Sequence, residues 1–300
     1  MQIILASAKI MQDKLNSIPD VSLSTPRFQN EAESYARDMA QYSTETIAEM
    51  LGCSQQIAAQ NKLRFMQFLD EPSGRAERFE DKPKLPAILA YHGQAYKHLK
   101  AAIKREQSDA CINSAEREQA RLKAKAETLT VDALNYSQGK LWITSFLYGL
   151  LRPLDGILPY RMEGHVELPS GVGENMFGFW KSRLTDVLID AVKADDGILI
   201  HLATEEYQHL FDWQRVRKEL RIIQPLFYVR KGNDLKIQAV WAKTCRGAMT
   251  RFIIDNRITN PENLNAFSYE GFAYDPKLGA LGPMGRLPEQ EPDYPHFIKQ

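Results

Sequence analysis

The stretch Ile222–Ala242, IIQPLFYVRKGNDLKIQAVWA, decides how the chain is to be read. Apolar and polar residues alternate on both sides of Gly232-Asn233-Asp234, a turn sequence that tolerates positive φ, so the pattern predicts a β-hairpin. A hairpin places antiparallel pairing in a chain whose other apolar runs look different. QIILAS (2–7), KLWITSFL (140–147) and GILIHLA (197–203) are short, continuous and rich in β-branched residues, as strands buried on both faces are. Helical stretches lie between them: residues 29–70 with one interruption, a helix beginning near Ala87, and GAMTRFIIDNRI (247–258) after the hairpin. Strands mixed with helices, one antiparallel hairpin and no internal repeat predict an α/β (mixed α+β) fold on one central mixed sheet. The sequence divides into a single domain over 1–275 and a Pro/Gly-rich tail over 276–300, read as loosely ordered. A densely charged helical excursion spans 104–135.

Composition sets the outer bounds. Lys and Arg number 38 against 38 Asp and Glu, so nucleic acid must be engaged by a local patch rather than by overall charge. Cys53, Cys111 and Cys245 are widely spaced and odd in number, which argues against a disulfide framework or a Cys-rich zinc site. The opening run IILA is followed directly by Ser7-Ala8-Lys9 and has no secretory pattern, and no stretch approaches the roughly 18 apolar residues of a membrane span. The expectation is a cytoplasmic protein.

Three clusters carry candidate chemistry. LYGLLRPLDGILPYR (147–161) sets Arg152, Asp155, Tyr160 and Arg161 among prolines at the edge of core sequence. Charges so placed are costly unless paired, so they either clamp the turn or line a polar cleft. WAKTCRGAMTRF (241–252) holds Lys243, Arg246 and Arg251, with Lys243 and Arg246 expected between the hairpin and the next helix and Gly247 allowing close backbone approach. Over 215–251 ten Lys and Arg face two acids, which reads either as a solvated face or as a basic groove. YSTETIAEMLGCSQQIAAQNKLRF (42–65) reads as helix, Gly-bearing turn, helix, with Thr44 capping the first and Ser54 the second. Amides at such a turn can hold a phosphate without reading bases.

Metal-site and redox readings are weak. Glu206 and His209 stand at the i, i+3 spacing of di-iron carboxylate proteins, but no second copy exists; His92 and His98 do not share a helix face. Cys245, between Lys243 and Arg246, is a candidate peroxide-reactive thiol set against the plainer reading of a small buried residue. No metal ligand set and no cofactor is called.

Taken together, ILASAK, YHGQAY, LYGLLRPLDGILPYR, FGFWKSRL, HLATEEY, WAKTCRGAMTRFIIDNRI and FSYEGFAYD resemble the YaaA peroxide stress protein family. The resemblance implies a cytosolic bacterial protein made under hydrogen peroxide that limits free intracellular iron and protects DNA. It also implies sequence-independent DNA binding by a helix-hairpin-helix over 44–61 and a positively charged cleft. The residues expected to contact DNA there are Gly52, Ser54 and Gln55, with Lys62 and Arg64 adding cations downstream. The cleft would draw on Lys9, Arg152, Asp155, Tyr160, Arg161, Lys243, Arg246 and Arg251, with Lys243 and Arg246 facing Arg152 and Arg161. Affinity should then fall steeply with salt. Two departures stand out: Gln94 replaces an acid that similar proteins carry in YHGQAY, and the 104–135 excursion is long. The rival reading is an enzyme acting on a nucleotide or phosphorylated small molecule in the same cleft. Direct iron binding ranks last.

Overall fold

The computed structural model describes residues 1–15, 20–69, 83–100, 129–171, 173–232, 234–278 and 293–299. Its strands are β1 (Gln2–Ala6), β2 (Leu85–Pro86), β3 (Leu141–Ser145), β4 (Gly149–Leu151), β5 (Gly156–Ile157), β6 (Ile198–Leu202), β7 (Arg221–Ile223), β8 (Leu226–Lys231), β9 (Asp234–Lys236), β10 (Ser268–Tyr269), β11 (Phe272–Tyr274) and β12 (His296–Lys299). The helices are α1 (Gln29–Gln41), α2 (Thr44–Leu51), α3 (Gln55–Met66), α4 (Ala87–Ala90), α5 (Gln94–Lys100), α6 (Val131–Lys140), α7 (Met176–Lys193), α8 (Trp213–Glu219) and α9 (Ala239–Asp255).

The mixed α/β class holds, but the strands form two main sheets rather than one. The first has the order β4-β3-β1-β6-β7, with β1 parallel to both β3 and β6. Ile4 lies opposite Trp142 on one side and His201 on the other. Such a strand is covered on both faces, which is why QIILA reads as continuous apolar sequence. Helix α7 turns Phe179, Trp180, Leu184 and Leu188 inward, and Trp180 donates to the Phe146 carbonyl at 2.8 Å.

The second sheet, β10-β11-β12-β8-β9, contains the expected hairpin as β8–β9. Its middle strand is β12, which runs parallel to β8, with Phe297 opposite Phe227. Of the 276–300 tail, residues 279–292 and 300 lie outside the described residues; within 293–299, Phe297 and Ile298 are buried, and Phe297 joins the core that both sheets share. A short apolar segment among prolines gave little local signal, and only its partner strand makes it β-structure.

The hairpin's second strand also stops earlier than the alternation suggests. From Ala239 onward, Ala242, Cys245, Ala248 and Met249 recur at spacings of three and four and are buried, so the 3.6-residue period prevails and α9 begins eight residues before Gly247. Residues 29–66 contain two interruptions, not one, because Tyr42 and Ser43 separate α1 from α2. Ser43, not Thr44, caps α2 by accepting from the Thr46 amide. Of the 104–135 excursion, residues 104–128 lie outside the described residues, while 131–135 open α6.

Candidate functional site

The parallel strands β1, β3 and β6 end side by side at Ala6, Ser145 and Leu202. The chain leaves the central strand β1 to build β3 on one flank and β6 on the other, and such a reversal of strand order opens a crevice beyond the carboxyl ends. A small depression lies there. Ser7, Ala8 and Lys9 line it from the end of β1, Phe146 from the end of β3, and Tyr207 from the 3-10 helix Glu205–Leu210 after β6. Tyr160, Arg161 and Met162, from the proline-flanked segment, close the remaining side.

Hydroxyl groups form the floor. Ser145 Oγ accepts from the amides of Leu147 and Tyr148, so its own proton goes to Tyr160 Oη at 2.6 Å. Tyr160 in turn meets Tyr91 Oη at 2.7 Å. Burial pushes the Tyr160 phenol up to about 12, against the pull of the Ser145, Tyr91 and Ser7 hydroxyls, so it serves as a neutral donor and acceptor. Ser7 Oγ meets Tyr207 Oη at 3.0 Å, and the Tyr207 ring stacks on Phe146 with centroids 4.8 Å apart.

The rim is ionic. The nearly buried Glu163 carboxylate accepts from Lys9 Nζ at 2.7 Å and from Arg161 Nη2 at 3.0 Å. Lys9 is 59% exposed and Arg161 18% exposed, so two cations and one acid give the rim a formal charge of +1.

The structure gathers only part of the sequence-derived cleft. Lys9, Tyr160 and Arg161 come together at the crevice. Arg152 lies at the opposite end of the same strands: its guanidinium sits 3.2 Å over the Trp142 ring and donates to Gln2 Oε1 and the Leu141 carbonyl. Asp155 is buried beside it, accepting the Arg152 amide and the Ser24 hydroxyl at 2.7 Å each. Arg152 and Asp155 thus hold the turn and do not share a wall with Arg161. A residue's place among prolines shows that its charge must be satisfied, not at which end of a sheet.

Lys243 and Arg246 lie within α9, not before it, and Arg251 lies inside the same helix as expected. Lys243 is exposed, Arg246 is half-buried near Glu205, and Arg251 is buried and pairs with Asp255 and the Leu99 carbonyl. Gly247 does allow a close approach, but to the Ala95 carbonyl on α5 rather than to an anion. Acids inside and outside the 215–251 run meet some of its cations: Arg215 pairs with Glu219 within it and with Asp186 outside it, and Arg221 pairs with Asp293.

In the α2–α3 pair, Gly52 stands in the left-handed region at φ 53°, and Ser54 caps α3 by accepting from the Ile57 amide. Gly52, Ser54, Gln55 and Gln56 are exposed. Lys62 and Arg64 point elsewhere, Lys62 to the Tyr42 carbonyl and Arg64 to Asp13. Gln94, the departure in YHGQAY, donates to Thr244 at the α5–α9 contact, 2.9 Å away.

Glu206 and His209 are exposed and belong to a 3-10 helix, and no group of three or more His, Cys, Asp or Glu is placed to hold a metal among the described residues. Cys245 is fully buried and burial pushes its thiol up to about 12, which suppresses the reactive thiolate. Brief treatment of the native protein with iodoacetamide should label the half-buried Cys53 well before Cys245, read by peptide mass spectrometry. Equal labelling rates would contradict the burial of α9.

Sequence reading missed Ser7, Phe146, Glu163 and Tyr207. The usable signal was polar residues directly after each buried strand; for Glu163 there was none, since its role depends on two cations from different segments.

A family model described as "Peroxide stress protein YaaA" matches residues 1–116 and 122–278. Among curated relatives, a UPF0246 protein of Phocaeicola vulgatus is 42% identical over 92% of this chain and 94% of its own length. UPF0246 proteins of Bacteroides thetaiotaomicron and Porphyromonas gingivalis are 37% and 32% identical, each over 93% of the chain and covered to 95% and 96%. No helix among the described residues is long and apolar enough to cross a membrane.

Proposed function

Since the chain belongs to the peroxide stress protein YaaA family, we propose that it serves the peroxide stress response by binding DNA through the phosphate backbone, without reading sequence. In this role it shields DNA from iron-driven damage and helps to limit free iron within the cell.

The observation that carries the reading is the exposed turn between α2 and α3. The amides at the start of a helix have no intrahelical acceptor, and the macrodipole favours an anion there. Gly52 lets the chain turn sharply with no Cβ in the way, and Gln55 and Gln56 leave the first turn of α3 open to solvent. These features suit a phosphate, and they carry no base-reading side chain.

The cations change the expected salt response. Lys62 and Arg64 are occupied by Tyr42 and Asp13, so the interface relies chiefly on the amides at the turn. The salt dependence should accordingly be shallow rather than steep, equivalent to roughly two phosphates.

The double variant Gln55→Glu/Gln56→Glu tests the site. Acids in a first turn do not disturb the helix, but they repel phosphate. Anisotropy titration of a labelled duplex should show affinity at least about fivefold weaker than wild type. Unchanged affinity would remove α3 from the interface.

A further inference from the structure

We propose that the strand-end crevice is a separate binding site for a phosphate dianion, inorganic or at the end of a small ester, held by Lys9, Arg161 and Ser7, with Glu163 as the internal counter-charge it displaces. The proposal does not rest on the DNA reading, which concerns α3.

The place is set by the fold. Ligands of open α/β sheets sit beyond the carboxyl ends of the parallel strands where strand order reverses, and this crevice occupies that position around β1. The depression is far narrower than a duplex, and an anion finds room there where it takes the place of the Glu163 carboxylate between Lys9 and Arg161.

The donors favour a tetrahedral anion. Lys9 Nζ brings three protons and spends one on Glu163. Arg161 spends Nε and Nη2 on the same carboxylate, and Nη1 makes no hydrogen bond among the described residues. The Ser7 hydroxyl supplies a third direction, and the flanking tyrosines remain neutral. These groups approach from separate chain segments, which suits an ion with acceptors pointing several ways better than a planar carboxylate.

Charge decides the competition. Glu163 is a tethered monoanion already in place, so a free monocarboxylate replaces like with like and gains little. A dianion brings more charge to the same pair of cations and can displace the tether. Glu205 and Glu206 stand nearby but are exposed, where water and salt screen them.

The test is calorimetric titration near pH 8 at constant ionic strength, with inorganic phosphate, adenosine monophosphate and acetate as probes. Saturable phosphate binding without acetate binding is expected. Lys9→Ala, at an exposed position, should weaken phosphate at least about tenfold. Glu163→Gln should tighten it by releasing both cations; should that variant fail to fold, Lys9→Ala decides alone. Adenosine monophosphate binding tighter than phosphate assigns the site to esters, and equal binding assigns it to the phosphate group itself. Absence of saturation, acetate binding as well as phosphate, or an unaffected Lys9→Ala would each overturn the proposal. A null result here leaves the Gln55/Gln56 test intact.

Discussion

Gly247→Ala is expected to cost about 3–5 kcal/mol of stability, although alanine is intrinsically the better helix former by about 1 kcal/mol. An ideal Cβ at Gly247 falls 1.9 Å from the Ala95 carbonyl oxygen and 2.6 Å from its carbon. Those are backbone atoms of α5, so no side chain can rotate aside, and the two helices must separate. Separation strips contacts from the buried Tyr96, Leu99, Ala248 and Met249, and it strains the bonds that Gln94 and Arg251 make across the same interface. Overpacking of ordinary core sites costs about 1–3 kcal/mol; the upper range applies here because the obstacle is main chain. Urea denaturation of wild type and variant measures the difference. A loss below about 1 kcal/mol would mean that α5 and α9 do not pack this closely.

Asp155 should produce the second large effect. Asp155→Ala removes the acceptor of the Arg152 amide and of the Ser24 hydroxyl in a buried turn, leaving both donors unsatisfied, at a cost of about 3 kcal/mol. The same burial gives a pH signature. Burial pushes the Asp155 carboxyl from 3.8 up to about 6, despite the Arg152 amide, the Ser24 hydroxyl and the Arg152 charge, which favour the anion. The folded state therefore holds a proton that the unfolded state has already released between these values. Stability contributed by this group is present below about pH 4 and lost as pH rises to about 6, by at most about 3 kcal/mol. Asp155→Asn keeps an acceptor for the Arg152 amide and can donate to Ser24, whose hydroxyl is free to turn. The difference in stability between wild type and Asp155→Asn should thus change by about 2 kcal/mol in favour of the variant from pH 4 to pH 7. A difference that does not vary with pH would show that Asp155 ionises normally.

Local patterns in the sequence marked the elements, and their pairing was harder to see. QIILA, LWITS and ILIHL are buried on both faces, so their apolar runs marked them as inner strands, and the Gly-Asn-Asp turn marked the hairpin. Nothing local shows that His296–Lys299 inserts between β8 and β11, because that placement depends on β8, more than sixty positions away, and on β11, more than twenty. The charged residues behaved alike. Arg152 and Arg161 are close in sequence, yet the segment between them carries one to the amino ends of β1 and β3 and the other to the carboxyl ends. Lys62 and Arg64 look available beside an exposed helix, yet Lys62 donates to the Tyr42 carbonyl and Arg64 pairs with Asp13. Sequence shows that a charge exists; only tertiary structure shows whether it is already spent. Ser7 and Glu163 illustrate the converse, since an unremarkable serine and glutamate become a site through the strands and cations that surround them.

We propose that this peroxide stress family member holds DNA by its phosphate backbone, chiefly at the turn into α3. Anisotropy titration of a labelled duplex with the wild-type protein, repeated at several salt concentrations and with two unrelated sequences, tests it most directly. Saturable binding is expected, equal for both sequences, with log affinity falling linearly in log salt at a slope of about −2. Absence of binding at low salt, or a marked preference for one sequence, would contradict it.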